Sequence, residues 1–307
     1  MVRIFEEGEV KIPLRTDRMY SGTVTSDPES IVSAETSHGL TAIIFYEKGT
    51  MVVQPLSGKS ALEMATLGLG HPHVVYKGSD DDVMCGTEDE DVDDIDEGDF
   101  GFESYSCDGQ STKYLELAMF YDFQAWQQAG DTFHSEYLAL FNLVKNVFQK
   151  PSLVGTNLVP KLVHAAYFAD ETVFKSNESI GLTLRAARAY CGIANPPESD
   201  PTHWDNAAFV SGYPVKGKTG LANVGSCGKK GSASVTKRRS LTSTAGTMCH
   251  EIGHNLSMKH DKPAICGPGK YIMSPWASKY KVYWDWSSCS RDYYCDFVGR
   301  NTCYDDA

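Results

Sequence analysis

His250, Glu251, His254 and His260, within TMCHEIGHNLSMKHD at 247–261, constrain this 307-residue chain more than any other feature. On a helix, residues four apart share a face with Cβ atoms about 5–6 Å apart. His250 and His254 can therefore offer two imidazoles to one metal ion. His260 lies six residues further on, and a straight helix would carry it roughly 9 Å along its axis. For all three rings to meet at one ion, the helix must end after His254 and the chain must turn back between 255 and 259. Such a reversal normally uses a residue with positive φ, which glycine adopts freely. This span has no glycine and holds Ser257 where one is expected. A serine in that conformation costs roughly 1–2 kcal/mol, which metal binding at such a site exceeds.

Three neutral imidazoles leave a fourth position open, the arrangement of a catalytic rather than a structural zinc site. Glu251 follows His250 directly, so it points beside the ion. That suits a base acting on a water whose pKa zinc lowers towards ~7, and the same carboxylate can return the proton to a leaving amine. Cys249 lies about 100° round the helix from His250, so it is expected to be a disulfide partner or buried. His38, His71, His73, His134, His164 and His203 have no ligand spacing.

Upstream, strand-like and helix-like stretches alternate. YLELAMFYDF (114–123) reads as a buried strand. In DTFHSEYLALFNLVKNVFQK (131–150), Phe133, Tyr137, Leu140, Phe141, Val144 and Phe148 recur at helical spacing behind an Asp131 or Thr132 N-cap. VPKLVHAAYFA (159–169) reads as a strand and SIGLTLRAARAYCG (179–192) as a helix. NAAFVSGY (206–213) and GLANVG (220–225) read as strands, and a helix is expected from about 243 to 256. This order predicts an α/β (α+β) fold with a sheet and packed helices, followed by an irregular Cys-rich end. Residues 1–78 carry short β-like runs (LTAIIFYEKG, TMVVQPL, HPHVVYKG) bounded by Gly, Ser or Pro, which predicts a small β-rich unit.

The net charge of −12 is local. Residues 80–99 hold twelve Asp or Glu and no Lys or Arg; removing them from the 40 acids leaves 28, equal to the 28 bases. Such a block repels itself and reads as a solvated linker. The one basic cluster (Lys229, Lys230, Lys237, Arg238, Arg239) lies in a Gly/Ser-rich stretch that reads as a loop. Nothing in the chain indicates a nucleic-acid surface, and no run reaches the ~18 apolar residues of a membrane span. Of nine cysteines, Cys85 lies in the acidic block and eight run from Cys107 to Cys303. That even set predicts disulfides and an oxidising, extracellular compartment. MVRIFEEGEV has no apolar signal core, so an N-terminus truncated upstream is expected.

The motif His250-Glu251-x-x-His254-x5-His260-Asp261 resembles that of the metzincin zinc proteases, and the Asp after the third His resembles the reprolysin (adamalysin, ADAM-like, M12B) branch. GKYIMSP places Met273 like that family's methionine turn. YLELAMFYDFQAW resembles its first strand and WSSCSRDYY its C-terminal helix region. The resemblance implies an upper subdomain with a mixed twisted sheet, an irregular disulfide-bonded lower subdomain and a cleft between them. GLANVG would supply the edge strand that pairs with substrate: Gly220, Leu221, Ala222, Asn223, Val224 and Gly225. Residues 1–78 would be a β-rich propeptide similar to those of secreted tick salivary reprolysins, 79–112 an acidic linker, and 113–307 the protease. Met84-Cys85-Gly86 resembles a latency motif whose thiolate fills zinc's fourth position, making the propeptide an inhibitor.

The implied activity is a secreted zinc endopeptidase acting on protein or peptide substrates, with extracellular-matrix or plasma proteins suggested by family alone. The alternative is a catalytically weak or inactive zinc-binding protein that acts by binding partners. The cofactor is one catalytic Zn2+ ion; a structural Ca2+ ion is left open, with no residue pattern in its support. Asn177 opens a surface sequon, N-E-S. Asn255 opens another, N-L-S, but a glycan there would block the cleft.

Overall fold

A computed structural model describes residues 8–13, 16–66, 68, 72–78, 107, 112–153, 158–214, 218–266, 271–274, 284–298 and 303. The acidic segment with Cys85 lies outside the described residues. In chain order the elements are β1 (Glu9–Lys11), β2 (Met19–Val24), β3 (Asp27–Glu35), β4 (Thr41–Tyr46), β5 (Gly49–Pro55), α1 (Gly58–Thr66) and β6 (His73–Gly78). They continue as β7 (Lys113–Tyr121), α2 (Phe123–Ala129), α3 (Phe133–Phe148), β8 (Leu158–Phe168), α4 (Ile180–Ala194) and β9 (Asn206–Ser211). Last come β10 (Gly220–Ala222), β11 (Ala233–Lys237), α5 (Leu241–Asn255), α6 (Pro263–Cys266) and α7 (Ser288–Val298).

The expected mixed sheet is present. Its strand order is β1-β8-β7-β9-β11-β10. The strands β8, β7, β9 and β11 run parallel, and β10 and β1 close the two edges antiparallel. The central strands are buried on both faces, which explains why β7 and β9 read as near-continuous apolar runs. One face carries α4 over an aromatic cluster of Phe120, Phe168, Phe174, Trp204 and Phe209. The other carries α3 and α5.

The β-rich N-terminal unit is a five-stranded antiparallel meander, β2 to β6. It packs on α3, so that helix lies between two sheets and is buried nearly all round. Two polar residues on α3 meet the meander. Asn142 Nδ2 donates to the carbonyls of Tyr20 (2.8 Å) and Ala34 (3.2 Å), and Asn146 Nδ2 donates to Ser33 Oγ (2.5 Å). Phe45 stacks on Trp284 with ring centroids 3.9 Å apart.

Four features differ from the sequence reading. The Gly/Ser-rich basic stretch contains strand β11, whose Ala233, Ser234 and Val235 are fully buried. Small residues suit a strand covered on both faces by helices, but their composition reads as loop. Arg238 at its end is not a free surface cation. Its Nε and Nη2 donate to the two carboxylate oxygens of Glu136 at 2.8 and 2.5 Å. Strand β1 leaves the N-terminal unit and joins the larger sheet. Finally, the expected disulfides form but take only six of the eight cysteines, as Cys107–Cys295, Cys227–Cys303 and Cys266–Cys289; Cys191 and Cys249 are buried free thiols, burial being one of the two fates expected for Cys249. Burial pushes the Cys191 thiol up to about 12 and that of Cys249 higher still. Among the described residues, no helix is long and apolar enough to cross a membrane.

Candidate metal centre

Helix α5 starts at Ser240, whose Oγ accepts from the Ser243 amide at 3.3 Å. It ends immediately after His254, as the spacing of the histidines required. The Met258 amide donates to Gly253 O (3.0 Å) and the Ser257 amide to His254 O (2.9 Å). This pair of bonds is a Schellman C-cap, with Ser257 at the position that turns left-handed. Ser257 has φ 73°, the one positive φ at a non-glycine among the described residues. The reversal carries His260 back over the last turn of α5.

The three rings converge. The Nε2 atom of His260 lies 3.1 Å from that of His250 and 3.2 Å from that of His254. Each helical ring is oriented from behind: His250 Nδ1 donates to Ile272 O (2.7 Å) and His254 Nδ1 to Met258 O (2.8 Å). A carbonyl only accepts, so each Nδ1 carries its proton and each Nε2 turns a bare lone pair to the common centre. Burial and the two neighbouring imidazoles hold His250 well below the ordinary histidine pKa, so it is neutral. A tetrahedral zinc with Zn–N of about 2.0–2.1 Å separates its nitrogens by about 3.3 Å. The triangle thus fits that ion, and among the described residues it is the one cluster of this kind.

Asp261 faces away from the centre. Its carboxylate accepts from Ser287 Oγ at very short range and from Ser290 Oγ at 3.3 Å, and its amide donates to Met273 O (2.9 Å). Ser287 also caps α7 through the Ser290 amide (2.9 Å). Asp261 therefore ties the third imidazole to the C-terminal helix. Burial raises its pKa against the two serine bonds. Met273 is fully buried in the turn below α5, and a Cβ at Gly253 would fall 2.7 Å from its Sδ. A side chain at Gly253 would force that sulfur to shift.

Glu251 is 2% exposed, beside the strand rather than in the histidine triangle. A Cβ on Gly220 would collide with Glu251 Oε1 and Thr247 Cγ2. Of the residues expected to form an edge strand, Gly220, Leu221 and Ala222 are β10, at the outer edge of the sheet. Asn223, Val224 and Gly225 continue as a turn. That turn is held to the end of α5 by the Gly225 amide on His254 O (2.8 Å) and by Asn255 Nδ2 on Asn223 O (3.2 Å) and Ser226 Oγ (2.8 Å). Sequence reasoning missed this role of Asn255. Its amide is completely buried, which leaves its sequon no room for a glycan. Asn177 is exposed, and its Oδ1 accepts from the Ser179 amide at 3.0 Å.

The model of the family described as Reprolysin (M12B) family zinc metalloprotease matches residues 113–304. A disintegrin and metalloproteinase with thrombospondin motifs 10 of Mus musculus is 27% identical over an alignment covering 92% of this chain and 30% of the relative. The corresponding protein 1 of Bombyx mori is 30% identical over 58% of this chain and 18% of its own length. Protein 6 of Homo sapiens is 36% identical over 36% of this chain and 11% of its own length. The chain thus spans less than a third of the length of each of these three relatives. The solved structure of metalloproteinase-II from Bacteroides fragilis shares the fold, with a TM-score of 0.51 at 12% identity, covering 90% of this chain and 84% of that one.

Proposed function

Because the chain belongs to the reprolysin (M12B) family of zinc metalloproteases, we propose that His250, His254 and His260 hold its catalytic zinc and that Glu251 is the base of peptide-bond hydrolysis. The observation that carries this reading is the triangle of Nε2 atoms at 3.1 and 3.2 Å, with Glu251 directly beside it in sequence. When bound, the ion polarises the scissile carbonyl and acidifies a water towards a pKa of ~7. Glu251 would take a proton from the attacking water as its oxygen adds to the scissile carbonyl carbon, and would deliver it to the amine nitrogen as the C–N bond breaks. Strand β10 aligns an extended substrate by main-chain hydrogen bonds, a role supported by its place at the sheet edge. Asp261 and Met273 hold the ligand geometry from below.

The finer reading is a secreted zymogen. Three disulfides favour an oxidising compartment. Residues 1–78 act as the prosegment, 79–112 as the linker and 113–307 as the protease, with Cys85 capping the zinc. Reach supports this: Gly78 packs beside Thr242 at the start of α5. An extended chain from Gly78 to Cys85 covers about 25 Å, against roughly 18 Å along α5 from Thr242 to His254. Substrates are extracellular proteins, and Asn177, being exposed, takes a glycan.

Glu251→Ala tests the reading. The variant should retain stoichiometric zinc and lose nearly all chelator-sensitive cleavage of casein. Cleavage at a near-native rate would refute the assignment. A wild-type chain that binds zinc but does not cleave once its prosegment is removed would favour a pure binding protein.

A further inference from the structure

Strand β1 adds to the free edge of β8. Glu9, Val10 and Lys11 stand opposite Phe168, Tyr167 and Ala166. The Ile12 amide donates to Ala165 O (2.8 Å) and the Ala169 amide to Gly8 O (2.9 Å). Opposed residues share a face and successive ones alternate. Val10 and Ile12 are accordingly buried towards the α3 side, where Ile12 joins the main core. Glu9 turns to the α4 side with Phe168. There its Oε1 lies 2.9 Å from His164 Nε2, and Tyr190 Oη donates to its Oε2 at very short range. His164 is packed against Phe120 and Trp204, with ring centroids at 5.2 and 5.1 Å, so its ring is set by the body of the enzyme. Burial opposes ionisation of Glu9, but the bonds from His164 and Tyr190, with the charges of His164 and Lys11, outweigh it and hold the carboxyl below its ordinary range.

These contacts have the form of strand addition, with main-chain bonds along an edge and two side chains, His164 and Tyr190, on one carboxylate. We propose that the outer edge of β8 is a second peptide-binding edge, which reads a carboxylate with His164 and Tyr190, and that residues 8–13 are its occupant, held as a ligand and not by chain connectivity alone. It lies at the opposite edge of the sheet from β10, so filling it does not block a peptide paired at β10. The proposal is independent of the peptidase reading, because its readout is binding.

The test cuts the covalent link and leaves the contact. In the full chain carrying Glu251→Ala, to prevent self-digestion, a site-specific protease sequence replaces residues 14–15. After cleavage no covalent bond joins residues 1–13 to the body, and the contacts of residues 8–13 are left to hold them. The piece is expected to co-elute with the body on gel filtration, and a fluorescent peptide of the 8–13 sequence should displace it saturably in an anisotropy titration. A peptide with Glu9→Gln should bind about tenfold more weakly, the loss of a charge-assisted contact. Tyr190→Phe and His164→Gln in the body should shrink that difference; if His164→Gln does not fold, Tyr190→Phe carries the comparison. Release of residues 1–13 with no peptide binding, or equal affinity for the Glu and Gln peptides, would overturn the proposal.

Discussion

Gly220 and Glu251 contend for one volume: a Cβ on the glycine would sit on the carboxylate oxygen of the glutamate. Gly220 thus sets where the proposed base stands. Gly220→Ala should push Glu251 aside without touching the imidazoles. Misplacement by an ångström can cost about 100-fold in rate, so kcat is expected to fall by about tenfold to 100-fold. The Michaelis constant for a peptide substrate and the zinc content should change little. An unchanged kcat would mean that Glu251 has slack the packing does not suggest.

Metal binding and base function should separate cleanly. Zinc at one hundred times its Kd stabilises a protein that binds it only when folded by about 2.7 kcal/mol. Thermal melts with and without chelator should show this shift equally in wild type and Glu251→Ala. His254→Ala should abolish it. If Glu251→Ala also lost the shift, the glutamate would belong among the ligands.

Ser257 at φ 73° stores strain where glycine would store none. Relief of roughly 1–2 kcal/mol is partly offset by the greater unfolded-state freedom of glycine, roughly 0.5–1 kcal/mol. Ser257→Gly should therefore stabilise the protein by about 0.5–1 kcal/mol, read from the denaturant midpoint at constant slope. Ser257→Val should destabilise it, since β-branching makes the left-handed region worse. No gain with glycine would show that the strain at Ser257 does not exceed the chain-entropy cost of glycine.

Arg238 and Glu136 form a mostly buried pair between the end of β11 and α3, with side chains 18% and 7% exposed. Removing one partner of such a pair leaves a charge without compensation, at about 3–5 kcal/mol for a fully buried pair; the partial exposure here scales that down. Arg238→Ala is expected to lower the unfolding free energy by about 2–3 kcal/mol. The double variant Arg238→Met with Glu136→Leu should recover part of the loss. A cost within experimental error for Arg238→Ala would place the pair in effective contact with solvent.

The motif from His250 to Asp261 was legible because its constraint is local. Helix rise and pitch alone dictate that the helix must end after His254 and that the chain must reverse between 255 and 259; the structure puts the reversal at Ser257. The same holds for α3 and β8, whose periodicity and apolar runs state their burial. Strand β11 was not legible, since Ala, Ser and Thr signal a strand only once α4 and α5 are known to cover it. The pairing of six cysteines and the isolation of Cys191 and Cys249 depend on distances across the fold, which spacing does not encode. Asn255 reads as a sequon until tertiary packing shows its amide spent on Asn223 and Ser226.

The amino-acid order by itself determined the metal-binding chemistry, the helix that presents it and the alternation of strand and helix that builds the sheet. Each of these follows from interactions between residues a few positions apart. Only the tertiary structure decided that Gly220 abuts Glu251, that Asp261 reaches Ser287, and that Glu9 finds His164 and Tyr190 at the far edge of the sheet. Those contacts join residues tens to well over a hundred positions apart, and they exist only where packing of the whole chain brings their elements together.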